Sequence, residues 1–218
     1  FIKSYAMIKK SAAIVNTRKK ILESKKSRAI IKACDEIMQG KLLNQFVVDV
    51  YQAGAGTSVN MNLNEVIANR ALEILHRKKG DYDYVHPNND VNKSQSTNDT
   101  FHSTIHVTTL KMVEEDLLPA LERMSKEFHK KSKQFSKIKK VGRTHLRDAT
   151  PMTLGQEFGG YASTIDADID FLNKSLVLLH ELNIGGTAIG TGINTPKGYS
   201  EAMIKEINRM TDRKSTRL

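Results

Sequence analysis

Eight apolar residues, Leu154, Phe158, Tyr161, Ile165, Ile169, Leu172, Leu176 and Leu179, recur in steps of 4, 3, 4, 4, 3, 4 and 3. A period near 3.5 held over about 25 residues is the seam of a long bundle helix. No other feature constrains the chain as much, because so long an apolar stripe needs long partners to cover it. The expectation is an all-α fold. Residues 100–128 can supply one partner, since Phe101, Ile105, Val113, Leu117, Leu121, Met124 and Phe128 fall at threes and fours or their sums. Pro119 interrupts that pattern and predicts a kink or break at Leu118. Asp99 is the expected N-cap of this helix, and Pro151 is expected near the start of the seam helix. No further long partner is evident, so a bundle completed by missing residues or by other subunits is expected.

Shorter helical stripes cover 1–15, 27–38 and 59–75, and "FVVDVY" at 46–51 is the one plausible extended stretch. The expected organisation is a partial N-terminal helical domain at 1–99, then the first, truncated part of a central helical-bundle domain at 100–218.

The formal charge of +10 raises the question of nucleic acid. Lys and Arg gather at 18–28 and 126–140, but aromatics are only 6% and no finger or RNP-type motif is present. Those clusters read as solvated helix faces, and no nucleic-acid partner is expected. No apolar run approaches the ~18 residues of a membrane span, and "FIKSYAMIKK" lacks the apolar core of a secretory signal. The single cysteine, Cys34, rules out an internal disulfide and fits a reducing compartment. A cytoplasmic protein without a membrane partner is expected. The Phe at position 1 and the polar end "TDRKSTRL" suggest a fragment.

Two groups invite a metal reading. Asp166 and Asp170 share a helix face with Asp168 nearby, and His102 and His106 are spaced i, i+4. Neither has the further ligands a site requires, so a solvated acidic face and ordinary helix histidines are expected. No metal ligand set and no cofactor are expected, although activation by a divalent cation is not readable from sequence.

The chemistry lies in four loops rich in Gly, hydroxyl and amide side chains: "QAGAGTS" at 52–58, "SQSTND" at 94–99, "GRTHLRD" at 142–148 and "GGTAIGTGINT" at 185–195. Helix N-termini present free N–H groups to anions, and Ser and Thr add neutral donors. Any one such loop is more often a cap than a site. Four together exceed what capping needs, and would make a pocket for a small carboxylate. The 185–192 run is neither a phosphate loop, since no Gly-Lys-Ser/Thr follows, nor a dinucleotide fingerprint.

"QAGAGTSVNMNLNEVIANRALEIL", "HPNNDVNKSQSTND", "GRTHLRDATPMTLGQEF" and "GGTAIGTGINTPKGY" together resemble the aspartase/fumarase superfamily, in order and spacing, from about Phe1 to Tyr199. Within it, "GAGTSVNMN" and "QSTND" resemble the aspartases more than the fumarases, while the Ala-Thr-Pro of "RDATPMTLGQEF" is common in fumarases.

The resemblance implies a helical homotetramer with a central superbundle, each active site being shared by three subunits. The implied reaction is reversible anti elimination of ammonia from L-aspartate to give fumarate. Proton removal beside the β-carboxylate leaves a dianionic, enediolate-like group, which fixed donors stabilise. By the same resemblance, Thr57, Ser96, Thr97 and Asn98 contact the carboxylates and amino group. Thr144 and His145 match the pair contributed by another subunit, with His145 helping to hold the β-carboxylate. Gly190 to Asn194 lie close to the site.

Three departures follow. Asn89 and Asp90 stand where the family usually has Asp and His, in a stretch that forms a second anion site in the fumarases, so weaker anion binding is expected there. His102 stands where Pro is usual. The serine base of the family, on a loop of pattern Gly-Ser-Ser-x-Met-Pro-x-Lys-x-Asn, does not occur in these 218 residues. The expectation is a chain that is inactive alone. The alternatives are a fumarate hydratase of class II, or a non-catalytic truncated or decayed product.

Overall fold

The computed structural model describes residues 1–49, 51, 53–212 and 215–217. They divide into two compact units, 1–108 with 179–218, and 109–178. Contacts within the chain therefore divide it differently from the expected 1–99 and 100–218, a division that concerns the complete protein.

The first unit is organised around α1 (Ile2–Arg18), whose buried residues point to almost every side. Small residues such as Ala6, Ala12 and Ala13 let neighbouring helices approach it closely. Against α2 (Ser24–Met38) and α3 (Thr57–Ile74) the core contains Ala6, Ile30, Ile37, Leu63, Ile67 and Leu72. Against α7 (Tyr199–Thr211) a second core joins Met7, Ile8 and Val15 to Leu182, Ile184, Met203 and Ile207. Each large aliphatic so buried contributes about 1.5–3 kcal/mol. Cys34 is a fully buried free cysteine, and burial pushes its thiol pKa up, so it packs as a small hydrophobe. Near the end of α7, the buried Glu206 carboxylate pairs with Arg18 at 2.7 Å and Arg209 at 2.5 Å.

The extended stretch expected at 46–51 forms no strand among its described residues; Val50 lies outside them. Leu43–Gln45 is a 3₁₀ turn, and the Val47 backbone N–H donates to the Asn62 side chain at 3.1 Å. Val47 is 81% exposed while Phe46 packs on the first core, so the stretch covers helices as an irregular segment without a strand partner among the described residues.

Helix α4 (Thr97–Met112) runs into a π-turn, Val113–Leu117, and on into α5 (Leu118–Gln134) with helical backbone throughout, so Pro119 is accommodated by a π-turn and not by a break. In the second unit α5 packs antiparallel to α6 (Leu154–Leu176). Ser132 donates to the Gly155 carbonyl, Phe135 and Phe128 meet Phe158, Phe128 meets Tyr161, and Ser125 meets Asp166. The expected seam helix is present, but Tyr161 of its stripe remains exposed, as befits a stripe with a single partner helix within this unit.

The two helices are joined by a hairpin that the polar sequence of 139–150 does not announce: β1 (Lys139–Thr144) pairs with β2 (Arg147–Thr153). Pro151 is consequently a strand residue opposite Val141, and Thr153 caps α6 through a reciprocal capping box with Gln156. The only other strand among the described residues is a two-residue parallel pairing of β3 (Glu181–Leu182) with β4 (Thr216–Arg217). The architecture is all-α with one hairpin. No described helix is long and apolar enough to cross a membrane.

Candidate active site

Three of the four polar loops belong to the first unit, and two are locked together by one carboxylate. The first turn of α4 opens with Ser96, whose hydroxyl accepts the Asn98 N–H at 3.2 Å. Ser96 is therefore the cap, and Asp99 lies inside the helix. One Asp99 oxygen accepts the Ser96 N–H at 2.9 Å, so it still satisfies a helix-end donor. The other accepts the N–H groups of Gly185 at 2.9 Å and Thr187 at 3.1 Å. Asp99 is 1% exposed. Burial holds its pKa above the ordinary carboxylate value, although three backbone N–H groups and the neighbouring Lys9 pull it the other way.

The exposed Asn98 strengthens the same junction. Its side-chain amide donates to the Ala188 carbonyl at 2.7 Å, and its own carbonyl accepts the Asn183 amide at 3.0 Å. The Gly-rich run pays a local conformational cost here. Thr187 is β-branched yet sits at φ 58°, in the left-handed region such residues avoid. Gly185 has φ 85°, and a Cβ there would come within 2.8 Å of Ser200.

The third loop ends at Thr57, the first residue of α3. Gly56 at φ 86° packs so tightly on the Phe101 ring that a Cβ would lie 2.3 Å from it. One turn into α3, Asn60 donates to the Thr97 hydroxyl at 2.9 Å. The N-termini of α3 and α4 thus converge, bringing Thr57, which is exposed, toward Ser96, Thr97 and Asn98. Beneath them a buried polar layer contains Tyr5, Asn60 and Thr100, with Tyr5 donating to Asn60 Oδ1 at 2.7 Å. Gln95 braces the loop from within, its amide donating to the Val91 and Lys93 carbonyls, both at 3.0 Å.

The fourth loop is the hairpin tip of the second unit. Its turn residues, His145 at φ 49° and Leu146 at φ 62°, both adopt the left-handed conformation required by the tightest hairpin turn. Thr144 is the last residue of β1 and pairs with Arg147. Leu146 is 95% exposed.

The unusual residues in "HPNNDVN" have local work. The Asp90 carboxylate accepts the His86 N–H at 2.9 Å and pairs with Lys26 at 3.3 Å. The His86 ring Nδ1 accepts the Asn88 and Asn89 N–H groups at 3.0 and 3.1 Å, capping the π-turn Pro87–Val91. His106 bonds the Glu181 carbonyl through Nδ1 at 2.9 Å. Asp166 accepts from Ser125 and from His129, the latter at 2.8 Å. Among the described residues, no three His, Cys, Asp or Glu are grouped to hold a metal ion.

Hydroxyl and amide side chains gathered at two helix N-termini are chemistry suited to a small carboxylate. A family model described as "Lyase" matches residues 2–217. Fumarate hydratase class II of Helicobacter pylori (strain J99 / ATCC 700824) is 50% identical over 210 residues, 96% of this chain and 45% of that protein. Aspartate ammonia-lyase of Bacillus subtilis (strain 168) is 48% identical over 206 residues, 94% of this chain and 43% of that protein. The chain spans less than half the length of these relatives. The crystal structure of a fumarate lyase:delta crystallin from Brucella melitensis bound to cobalt superposes with a TM-score of 0.93 at 46% identity, covering 100% of this chain and 47% of that one. With relatives near 50% identical, a matching backbone and a family match over nearly its whole length, the chain belongs to this lyase family, the aspartase/fumarase superfamily.

Proposed function

We propose that the protein containing this chain eliminates ammonia from L-aspartate to give fumarate, reversibly. The observation that carries the substrate class is the Asp99 clamp, which fixes the donors of 96–98 beside the Gly-rich run in an arrangement suited to a small dicarboxylate. Thr57, Ser96, Thr97 and Asn98 hold the carboxylates and amino group. Thr144 and His145 from another subunit hold the β-carboxylate, where charge grows as the Cβ proton leaves. Neutral hydroxyls and amide N–H groups suit that task, because they stabilise the dianion while leaving the nearby base unperturbed. The proton goes to a serine base on the family's Gly-Ser-Ser loop, a pattern not found in these 218 residues, and the Cα–N bond electrons leave with ammonia. The proposal further takes the assembly as a cytoplasmic homotetramer and the chemistry as needing no cofactor.

Aspartate is favoured by "GAGTSVNMN" and by Thr97 in "QSTND", both resembling aspartases. The second reading is hydration of fumarate, favoured by the 50% identity to a fumarate hydratase and by Ala149-Thr150-Pro151. The test is an ultraviolet assay of the full-length protein with L-aspartate and with L-malate, each with and without magnesium. Fumarate from aspartate alone supports the first reading, fumarate from malate alone supports the second, and fumarate from neither refutes both. Gel filtration coupled to light scattering tests the tetramer.

A further inference from the structure

Beneath Thr97 lies a fully buried lysine that the proposed chemistry does not use. Lys9, on α1, is 0% exposed, and its ammonium donates to Asn92 Oδ1 at 2.7 Å. Asn60 Nδ2 lies 3.5 Å from the same oxygen and donates to Thr97 Oγ1 at 2.9 Å, while Asn60 Oδ1 accepts from Tyr5.

The polarity of this chain is set at Asn92. Its Nδ2 donates to Asn88 Oδ1 at 3.2 Å and reaches the Gln95 carbonyl at 3.5 Å, so its oxygen is the atom turned to Lys9, whose much shorter bond of 2.7 Å is the strongest hold on that orientation. That oxygen also faces Asn60, which must therefore turn its amide nitrogen toward Asn92. The reversed Asn60 would set oxygen against oxygen. With that nitrogen so placed, Thr97 Oγ1 is an acceptor toward the protein. Its single hydrogen then meets no acceptor among the described residues, and is left to donate to a ligand.

The geometry points to Lys9 as a positioning residue: through Asn92 and Asn60 it makes the Thr97 hydroxyl a donor to the substrate's carboxylate. This rests on the proposed binding of a dicarboxylate at Thr97. Without the lysine, Asn92 is held only by its longer bonds to Asn88 and Gln95; when it reverses, Asn60 can follow and the Thr97 hydrogen can turn inward to Asn60 Oδ1.

The experiment compares steady-state kinetics of the full-length protein with Lys9→Met, Thr97→Val and the double variant, using whichever substrate the wild type turns over. Circular dichroism melting establishes that each variant folds. Lys9→Met should raise KM about tenfold, the effect of one lost hydrogen bond to a charged group, with kcat changed less than about threefold. The double variant should be no worse than Thr97→Val, because both changes remove the same donor. A folded Lys9→Met with KM within about twofold of wild type, or effects of the two changes that multiply, overturns the inference. Where Lys9→Met does not fold, Asn60→Asp carries the test. It sets a carboxylate oxygen against Thr97, draws the hydroxyl hydrogen inward and should raise KM comparably; an unchanged KM overturns the inference. Wild-type protein that turns over neither aspartate nor malate overturns the functional reading, and this inference falls with it.

Discussion

The carboxylate of Asp99 accepts the backbone N–H of Thr187 at 3.1 Å, across 88 positions of sequence. The same side chain serves the start of α4, so one residue fixes a helix end and a distant Gly-rich run together.

Asp99→Ala should therefore do more than remove a cap. It leaves the N–H groups of Ser96, Gly185 and Thr187 without their acceptor and frees a strained Thr187. A loss of about 2–4 kcal/mol is expected, read as a lower urea midpoint. Amide hydrogen exchange at Gly185 and Thr187 should accelerate more than exchange within α2. Equal acceleration everywhere would show that the carboxylate is not a local clamp.

Lys9 gives stability a pH dependence. Burial lowers its pKa from the ordinary lysine range to about 7, partly offset by Asp99 and by Cys34 nearby. In the unfolded chain the amine keeps its ordinary pKa, so between pH 7 and about 10.5 the unfolded state binds more protons. Stability attributable to this group therefore rises with pH across that window, by up to a few kcal/mol, and is flat below it. Denaturation of wild type against Lys9→Met at pH 6, 8 and 9.5 checks this. The difference between the two proteins should shift in favour of wild type as pH rises.

Gly56→Ala should destabilise by about 2 kcal/mol or more, measured by thermal melting. It adds a side chain at φ 86° and drives its Cβ into the Phe101 ring. Combining it with Phe101→Ala should be less than additive, because the second change removes the clash.

The hairpin tip should respond in the opposite sense. Leu146 has φ 62° and is 95% exposed, so Leu146→Gly relieves backbone strain and loses little packing. Stability should be unchanged or up to about 1 kcal/mol higher. His145→Ala should leave stability within about 0.5 kcal/mol and lower kcat/KM of the full-length protein by at least about tenfold. An activity within twofold of wild type would remove His145 from the proposed mechanism.

Much of this was legible in sequence where one physical rule acts locally. The 3.5-residue apolar period marks α6, and Pro119 marks the irregular π-turn before α5, because steric and burial constraints there involve near neighbours. The hairpin was not legible: Lys139, Lys140, Arg143 and Asp148 give no apolar alternation, and a register shift between Val141 and Arg143 blurs what remains. Asp99 carries an N-cap signature, yet its second oxygen answers residues that no local rule connects to it. Nothing in the helical stretch at 1–15 marks Lys9; its burial depends on α1 being enclosed by both cores, a property of the assembled unit. Thr57, Ser96, Thr97 and Asn98 are singled out through the resemblance of their motifs, whereas Asn60 and Asn92, which bond in the layer beneath Thr97, carry no signal beyond being amides near loops.

The first unit is discontinuous, closing only when residues 179 onward return to it. His106 and Glu181, bonded at 2.9 Å, mark where the chain departs and comes back. This sets a timetable for biosynthesis. At about 5–20 residues per second, the ribosome needs roughly 4–18 s to make the 88 positions between Asp99 and Thr187. During that interval the nascent α1, α2 and α3 can already pack together, while the carboxylate that will hold the Gly-rich run has no distant partner. The donor surface is thus among the last parts of its unit to be fixed, and its maturation is tied to translation of the intervening segment rather than to the folding of the helices beneath it.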